Sequence, residues 1–281
     1  MKKAKGILIA IGGAVDKGTG KELENAESLN PEFLEIGILK RILEELPGHT
    51  NRIEVITTAS TIPEETGQHY LDAFKRLQNE NVGVIHIKER EDTTNDEYHQ
   101  RIAEAEGVLF TGGNQLRLTT IFGGTALLEL MLSRYRNEHF VVAGTSAGAM
   151  AMSTTMIYGG SSTEALLKGE VKQSRGFGFI DDVTFDSHFI KRGRFGRLCQ
   201  TIANNPSNVG IGLGEDTGLL IKNGDHMEAI GSGLVTIVEG NLITYTNIAE
   251  INDGEPISIE NLTVHILSKG HNYILSERHL T

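Results

Sequence analysis

The sequence is short of several things, and each shortage excludes something. Its 281 residues include one cysteine, no tryptophan, five prolines and an aromatic fraction of 6%. Cys199 alone forms no intramolecular disulfide, so a disulfide-stapled scaffold is excluded and a reducing, cytoplasmic setting is expected. Basic residues are also few, 26 Lys and Arg against 37 Asp and Glu, a net charge of −11. Binding by phosphate neutralisation needs clustered cations, so nucleic acid is not an expected partner. No apolar run approaches the roughly 18 to 20 residues of a transmembrane helix, and no membrane role is expected. The histidines are scattered, with no His-x-x-x-His pair and no cysteine cluster, so no metal centre is expected. No Pro/Ser-rich linker, charge block or internal repeat divides the chain. One domain over residues 1–281 is expected, with 206–281 as its strand-rich C-terminal part.

What is present reads as alternating strand and helix. Apolar runs at Gly6 to Ile11, Ile53 to Thr57, Gly83 to Ile87, Gly107 to Phe110 and Phe140 to Ala143 lack polar alternation. Strands buried on both faces read this way, so a largely parallel sheet with helices on each side is expected. Lys2, Lys3 and Lys5 ahead of the first run imitate a signal peptide. Gly12 and Gly13 cut that run short without a cleavage motif, which favours a buried first strand. Helical patterns fill the gaps: Asn30-Pro31-Glu32 leads into Phe33 to Leu46, Pro63 starts a helix towards Gln78, another covers Tyr98 to Glu106, and one runs from Gln115 towards Tyr135. This pattern predicts a doubly wound α/β fold. Val209 to Ile221, His226 to Val238, Leu242 to Ile248 and Thr263 to Leu267 read as strands, separated by turn pairs such as Asn223-Gly224, and are expected as antiparallel additions to the sheet edge.

The segment Phe140 to Met152 carries the strongest chemical signal. A buried strand runs into Gly144-Thr145-Ser146-Ala147-Gly148, and small residues begin a helix. Alone, Gly-x-Ser-x-Gly is also met as a glycine-rich turn with a capping serine. The flanking strand and helix favour a nucleophile elbow, with Ser146 exposed on a sharp turn that Gly144 and Gly148 permit. A second strand-glycine-helix element, Gly107 to Leu116, brings Gly112-Gly113 to the carboxyl end of a strand. The Gly113 and Ala147 N–H groups would together hold an oxyanion. No Lys-Ser/Thr follows, so this is not a nucleotide P-loop. Gly12-Gly13-Ala14 is a similar loop without side-chain chemistry and is expected to shape the floor.

A serine nucleophile needs a base, and His188 stands directly after a strand in Val183-Thr184-Phe185-Asp186-Ser187-His188. Arg192, Arg194 and Arg197 follow as a local positive island suited to carboxylates, although a solvated basic face beside a core histidine reads equally well. Glu215 and Asp216, at the end of a buried apolar strand, are the candidate acids that would orient the imidazole.

Together these motifs resemble the cyanophycinases, in the serine-peptidase family that also contains the aspartyl dipeptidases. The resemblance rests on Phe110-Thr111-Gly112-Gly113-Asn114-Gln115, on Gly144 to Ala149, on Asp186-x-His188-Phe189 with the three arginines, and on Gly214-Glu215-Asp216-Thr217. It extends from the first strand to about residue 245. It implies a class I glutamine amidotransferase-like (flavodoxin-like) α/β fold and cleavage of cyanophycin, a poly-aspartate with arginine on each β-carboxyl, to β-Asp-Arg dipeptides without a cofactor. By motif, Ser146 resembles the nucleophile, His188 the base and Glu215 the orienting acid. Gln115, Asp186, Ser187, Arg192, Arg194 and Arg197 stand where that family has its substrate pocket. The family commonly has Gln between the Asp and His of the base motif, where this chain has the shorter Ser187. The alternatives are an aspartyl dipeptidase acting on short Asp-X peptides and a non-catalytic acidic-peptide-binding homologue. A glutaminase would carry Cys at the elbow, and Cys199 lies elsewhere. A homodimer is the default assembly.

Overall fold

A computed structural model of the chain describes residues 4–18 and 37–281. Strands β1 (Ile7–Ile11), β2 (Ile53–Ile56), β3 (Val82–Ile85), β4 (Gly107–Phe110) and β5 (Val141–Thr145) run parallel in the order β1-β5-β4-β2-β3. They are the five apolar runs of the sequence, and β1, β4 and β5 are buried along their whole length.

Helices cover both faces. Leu8, Ala10, Phe110 and Val142 point into a core shared with Ile102 and Met131, whereas Ile9, Ile11, Leu109 and Ala143 point into one shared with Ile42 and Phe74. The first core takes α3 (Asp96–Glu104), α4 (Gln115–Phe122) and α5 (Ala126–Asn137), and the second takes α1 (Ile38–Glu44) and α2 (Pro63–Arg76). Burial on alternate sides of each strand is what a doubly wound sheet requires.

The helix signals act as their chemistry dictates. Pro63 begins α2 with Glu64 and Glu65 in its first turn. The Asn95 side chain accepts the Glu97 N–H at 2.9 Å at the start of α3. Lys2, Lys3 and the predicted start Asn30-Pro31-Glu32, with Phe33, lie outside the described residues. One expectation is corrected: the single helix from Gln115 towards Tyr135 is two helices, bent by 100°. Gly123 and Gly124 break it, Gly124 turning left-handed at φ 70, and Thr125 restarts it by accepting the Leu128 N–H. No single helix among the described residues is long and apolar enough to cross a membrane.

The chain continues through the five-residue α6 (Ala147–Ala151), the pair β6 (Thr155–Gly159) and β7 (Lys172–Arg175), then β8 (Val183–Asp186) and α7 (Phe195–Asn204). Cys199 is a buried position of α7, its thiol pushed up to about 11 by desolvation. After it come β9 (Val209–Leu213), β10 (Thr217–Lys222), β11 (His226–Gly231), β12 (Val235–Glu239), β13 (Tyr245–Thr246), β14 (Ile259–Glu260), β15 (Thr263–Leu267), β16 (Asn272–Ile274) and β17 (His279–Leu280). The expected antiparallel additions are β10, β11, β16 and β17, which extend the main sheet beyond β1.

The runs Val209 to Ile221 and His226 to Val238 are not single strands. Each is cut in two, and the other halves, β9 and β12, join β8 and β15 in a second sheet of order β15-β12-β9-β8. Gly214-Glu215-Asp216 carries the chain from one sheet to the other, with Asp216 at φ 41. Leu242 to Ile248 contributes only the short β13. The carboxyl ends of β1, β4 and β5 therefore meet the carboxyl ends of β8 and β9.

Candidate active site

Ser146 sits at the junction of β5 and α6, with φ 51 and ψ −108. A serine keeps that conformation only where its surroundings hold it. Its N–H donates to the Ile11 carbonyl at 2.8 Å, which ties the turn to β1. A Cβ on Gly148 would collide with the Phe110 carbonyl, and one on Gly144 would crowd Gly148. The glycines of the elbow thus let α6 lie directly on β4.

His188 follows β8 by two residues, in the left-handed region at φ 50. Its N–H donates to the Gly12 carbonyl at 3.0 Å, and its imidazole lies over Gly13, where any Cβ would strike the ring. Gly13 is held at φ 139 and accepts the Asp216 N–H at 2.8 Å. The loop expected to shape the floor does so by carrying the ring.

The sequence-predicted groups come together in a relay. Ser146 Oγ is 2.9 Å from His188 Nε2, and His188 Nδ1 is 2.8 and 2.9 Å from the two Glu215 carboxylate oxygens. An Nδ1–H donating to Glu215 leaves Nε2 to accept the serine O–H. Of the two candidate acids, Glu215 meets the imidazole. Asp216 turns away, accepting from the Asp16 N–H at 3.2 Å and the Ser232 hydroxyl at 2.9 Å. Burial pushes the Glu215 carboxyl up, but the hydrogen bond and charge of His188, aided by Lys191 and Arg192, outweigh it and hold the group below the usual carboxylate value.

Ala147 opens α6, so its N–H has no acceptor earlier in that helix. Gly113 has φ 140, a conformation in which a side chain would run into the Ala59 carbonyl. A Cβ on Gly112 would stand 3.5 Å from the Ser146 Cβ, so the glycine pair lies against the serine. Ser146, Gly113 and His188 share the wall of a cleft of about 410 Å³. Such a constellation sets a hydroxyl against an imidazole, a carboxylate against that ring's other nitrogen, and N–H groups beside the hydroxyl, the kinds of group that acyl transfer requires.

The residues expected to bind substrate divide. Arg192 is exposed and lines the cleft. Asp186 is fully buried, with Arg194 Nη1 and Arg197 Nε each 3.0 Å from its carboxylate. Arg194 Nη1 also donates to the Ser187 carbonyl at 2.7 Å. Burial drives the Asp186 carboxyl up and the Arg194 guanidinium down, against their mutual attraction. Ser187 is buried with its hydroxyl on Met150 Sδ at 3.3 Å, and Gln115 donates to the Ile157 carbonyl at 3.1 Å. Only Arg192 of the expected positive island faces the cleft, because a buried carboxylate draws the other two guanidiniums inward. The sequence reading missed Lys17, His69 and Tyr70, which share the cleft wall with Ser146. Lys17 lies just beyond the Gly12-Gly13 loop, the one local signal that pointed to it. Nothing in α2 marks His69 and Tyr70 until the chain folds. Among the described residues no group of three His, Cys, Asp or Glu could hold a metal ion.

Residues 29–229 match the model of peptidase family S51. The chain belongs to that peptidase family. It is 35% identical over 274 residues to the cyanophycinase of Trichormus variabilis, covering 98% of this chain and 87% of that protein. It is 34% identical over 266 residues to the cyanophycinase of Geminocystis herdmanii, covering 95% and 92%. The resemblance to cyanophycinases read from the motifs is therefore borne out over nearly the whole of this S51 peptidase. A crystal structure of a peptidase from an acI-B1 Actinobacterium has a TM-score of 0.69 at 22% identity and covers 98% of each chain, in agreement on the fold.

Proposed function

We propose that this S51 peptidase is a serine exopeptidase that degrades cyanophycin to β-Asp-Arg dipeptides. The observation that carries the reading is the Ser146–His188–Glu215 relay, with contacts of 2.9 and 2.8 Å, in a chain 35% identical to a cyanophycinase over 98% of its length. Ser146 Oγ attacks the backbone carbonyl carbon of an aspartyl residue while His188 Nε2 takes the hydroxyl proton. The Gly113 and Ala147 N–H groups receive the oxyanion. Collapse breaks the C–N bond, the leaving amine takes the proton from His188, and the acyl group remains on Ser146. Water, activated by the same imidazole, then releases the acid and restores the serine. Glu215, held ionised, keeps the imidazole in one tautomer and stabilises the imidazolium.

The substrate carries both carboxylates and guanidiniums. Arg192 on the cleft wall suits the former, and the net charge of −11 attracts the latter to the protein at large. The same reading treats residues 1–281 as one hydrolytic domain working as a cytoplasmic homodimer, for which the lone buried Cys199 and the frequency of two-fold assemblies are the support.

Incubation of the purified protein with insoluble cyanophycin tests the proposal. Mass spectrometry of the supernatant is expected to show β-Asp-Arg, and none with Ser146→Ala. Silence on the polymer with cleavage of short Asp-X peptides would replace it by a dipeptidase, and silence on both would leave a binding protein.

A further inference from the structure

The loops that leave the carboxyl ends of β2, β3 and β4 are joined by one guanidinium. Arg117, in the first turn of α4, donates from Nε to the Thr58 carbonyl at 2.8 Å and from Nη2 to the Lys88 carbonyl at 2.7 Å. Thr58 follows β2 and Lys88 follows β3. A planar fork with fixed N–H directions can bridge two carbonyls in this way, whereas a lysine ammonium has no such fork.

The same contacts hold Gly113. A Cβ on that residue would run into the Ala59 carbonyl, and the next residue, Asn114, donates its N–H to that carbonyl at 2.9 Å. Ser60 N–H donates to the Thr57 carbonyl at 2.9 Å, which makes Thr58 and Ala59 the two central residues of one tight turn. The Asn114 side chain in turn accepts the Leu116 and Arg117 N–H groups at 2.9 and 3.4 Å and so starts α4. A closed circuit results, from Asn114 to Ala59, through Thr58 to the Arg117 side chain, and from the Arg117 N–H back to Asn114. Shifting Thr58 shifts the surface on which Gly113 rests. The fold depends little on this circuit, because Arg117 is exposed and α4 is anchored by the buried Leu118, Ile121 and Phe122.

We propose that Arg117 is a positioning residue, which acts through Thr58 and Ala59 to fix how the Gly113 N–H faces Ser146. The proposal rests on the peptidase reading of the site, in which that N–H receives the oxyanion. Such a donor works only within hydrogen-bond range of the oxygen that forms in the transition state, and a displacement of about 1 Å caused by a change elsewhere costs up to roughly a hundredfold in rate. An interaction made only in the transition state is lost from kcat and leaves KM nearly unchanged.

The test compares the parent protein with Arg117→Met, which keeps the stem and removes the fork, and with Arg117→Lys, which restores the charge. On soluble fragments of cyanophycin, Arg117→Met is expected to lower kcat about ten- to a hundredfold with KM within roughly threefold, and Arg117→Lys to recover part of the loss. A second readout is the rate at which a serine-directed phosphonate labels Ser146. It is expected to fall by a similar factor in Arg117→Met, since the phosphoryl oxygen takes the place of the oxyanion, while the melting temperature stays close to that of the parent. Unchanged kcat and labelling in Arg117→Met would overturn the proposal. A rise in KM at constant kcat would also overturn it and make Arg117 a substrate contact, and a loss of rate that only follows the unfolded fraction would reduce it to a structural brace. A parent protein whose labelling slows with Arg117→Met but which turns over no peptide would uphold the positioning and overturn the proposed reaction. One that neither labels nor turns over peptide would overturn both.

Discussion

Ser146→Ala is expected to lower kcat by roughly six orders of magnitude, as removal of the nucleophile does in a serine peptidase whose relay acts as a unit. Among the described residues the side chain hydrogen-bonds only to His188, and the elbow is held by backbone bonds from Ser146 N–H to the Ile11 carbonyl and from Met150 N–H to the Ser146 carbonyl. Folding does not depend on the hydroxyl. Far-UV circular dichroism and the melting temperature should therefore stay at the parent values. What survives is turnover aided by the Gly113 and Ala147 N–H groups without a covalent step. Because the members of such a relay act as a unit, adding His188→Ala to Ser146→Ala should cost little more, whereas His188→Ala alone should cost about as much as Ser146→Ala. Retention of more than a few per cent of turnover by Ser146→Ala would remove it from the mechanism.

Asp186→Ala is expected to act on stability first. Its carboxylate is fully buried against Arg194 and Arg197, whose side chains are 13% and 5% exposed. Removing it leaves buried positive charge without a counter-ion, at a cost of about 3–5 kcal/mol. For a chain of this size that lowers the melting temperature by roughly 10 °C. Replacing Arg194 by Met in the same background should recover part of the loss, because the two changes share one ion cluster. Were Asp186 instead a substrate contact, as the motif resemblance alone implies, the variant would keep its melting temperature and raise KM. Thermal melts and kinetics on the same preparation separate the two. A drop in kcat beyond the fraction unfolded is also expected, since Asp186 lies two residues before His188 and Arg194 grips the intervening Ser187 carbonyl.

Much of this was legible in residues. The five apolar runs became the parallel strands because a strand covered on both faces needs no polar alternation, and the glycines of Gly144 to Gly148 announced a turn that only their missing side chains permit. Ser146, His188 and Glu215, each singled out by the strand that precedes it, lie in succession within hydrogen-bond distance because side chains at the carboxyl edge of a sheet converge.

The rest depends on distance in space. A run such as Val209 to Ile221 reads as one strand because both halves are apolar, and nothing local says that Gly214-Glu215-Asp216 passes it to another sheet. Arg192, Arg194 and Arg197 look alike in sequence. Their roles separate only when Asp186 is buried between two of them and the third is left at the cleft. Lys17 owes its place to Tyr70 and Arg76, more than fifty residues away. The break at Gly123-Gly124 was the one readable signal passed over, because the apolar spacing on both sides continued through it.

The most direct test of the central claim is covalent labelling by a serine-directed phosphonate, with the modified site located by peptide mass spectrometry. The relay at 2.9 and 2.8 Å predicts a single phosphonyl adduct on Ser146 that forms in the parent protein and disappears with His188→Ala. An active preparation that carries no adduct at Ser146, or one whose labelling is unchanged without His188, would contradict the account.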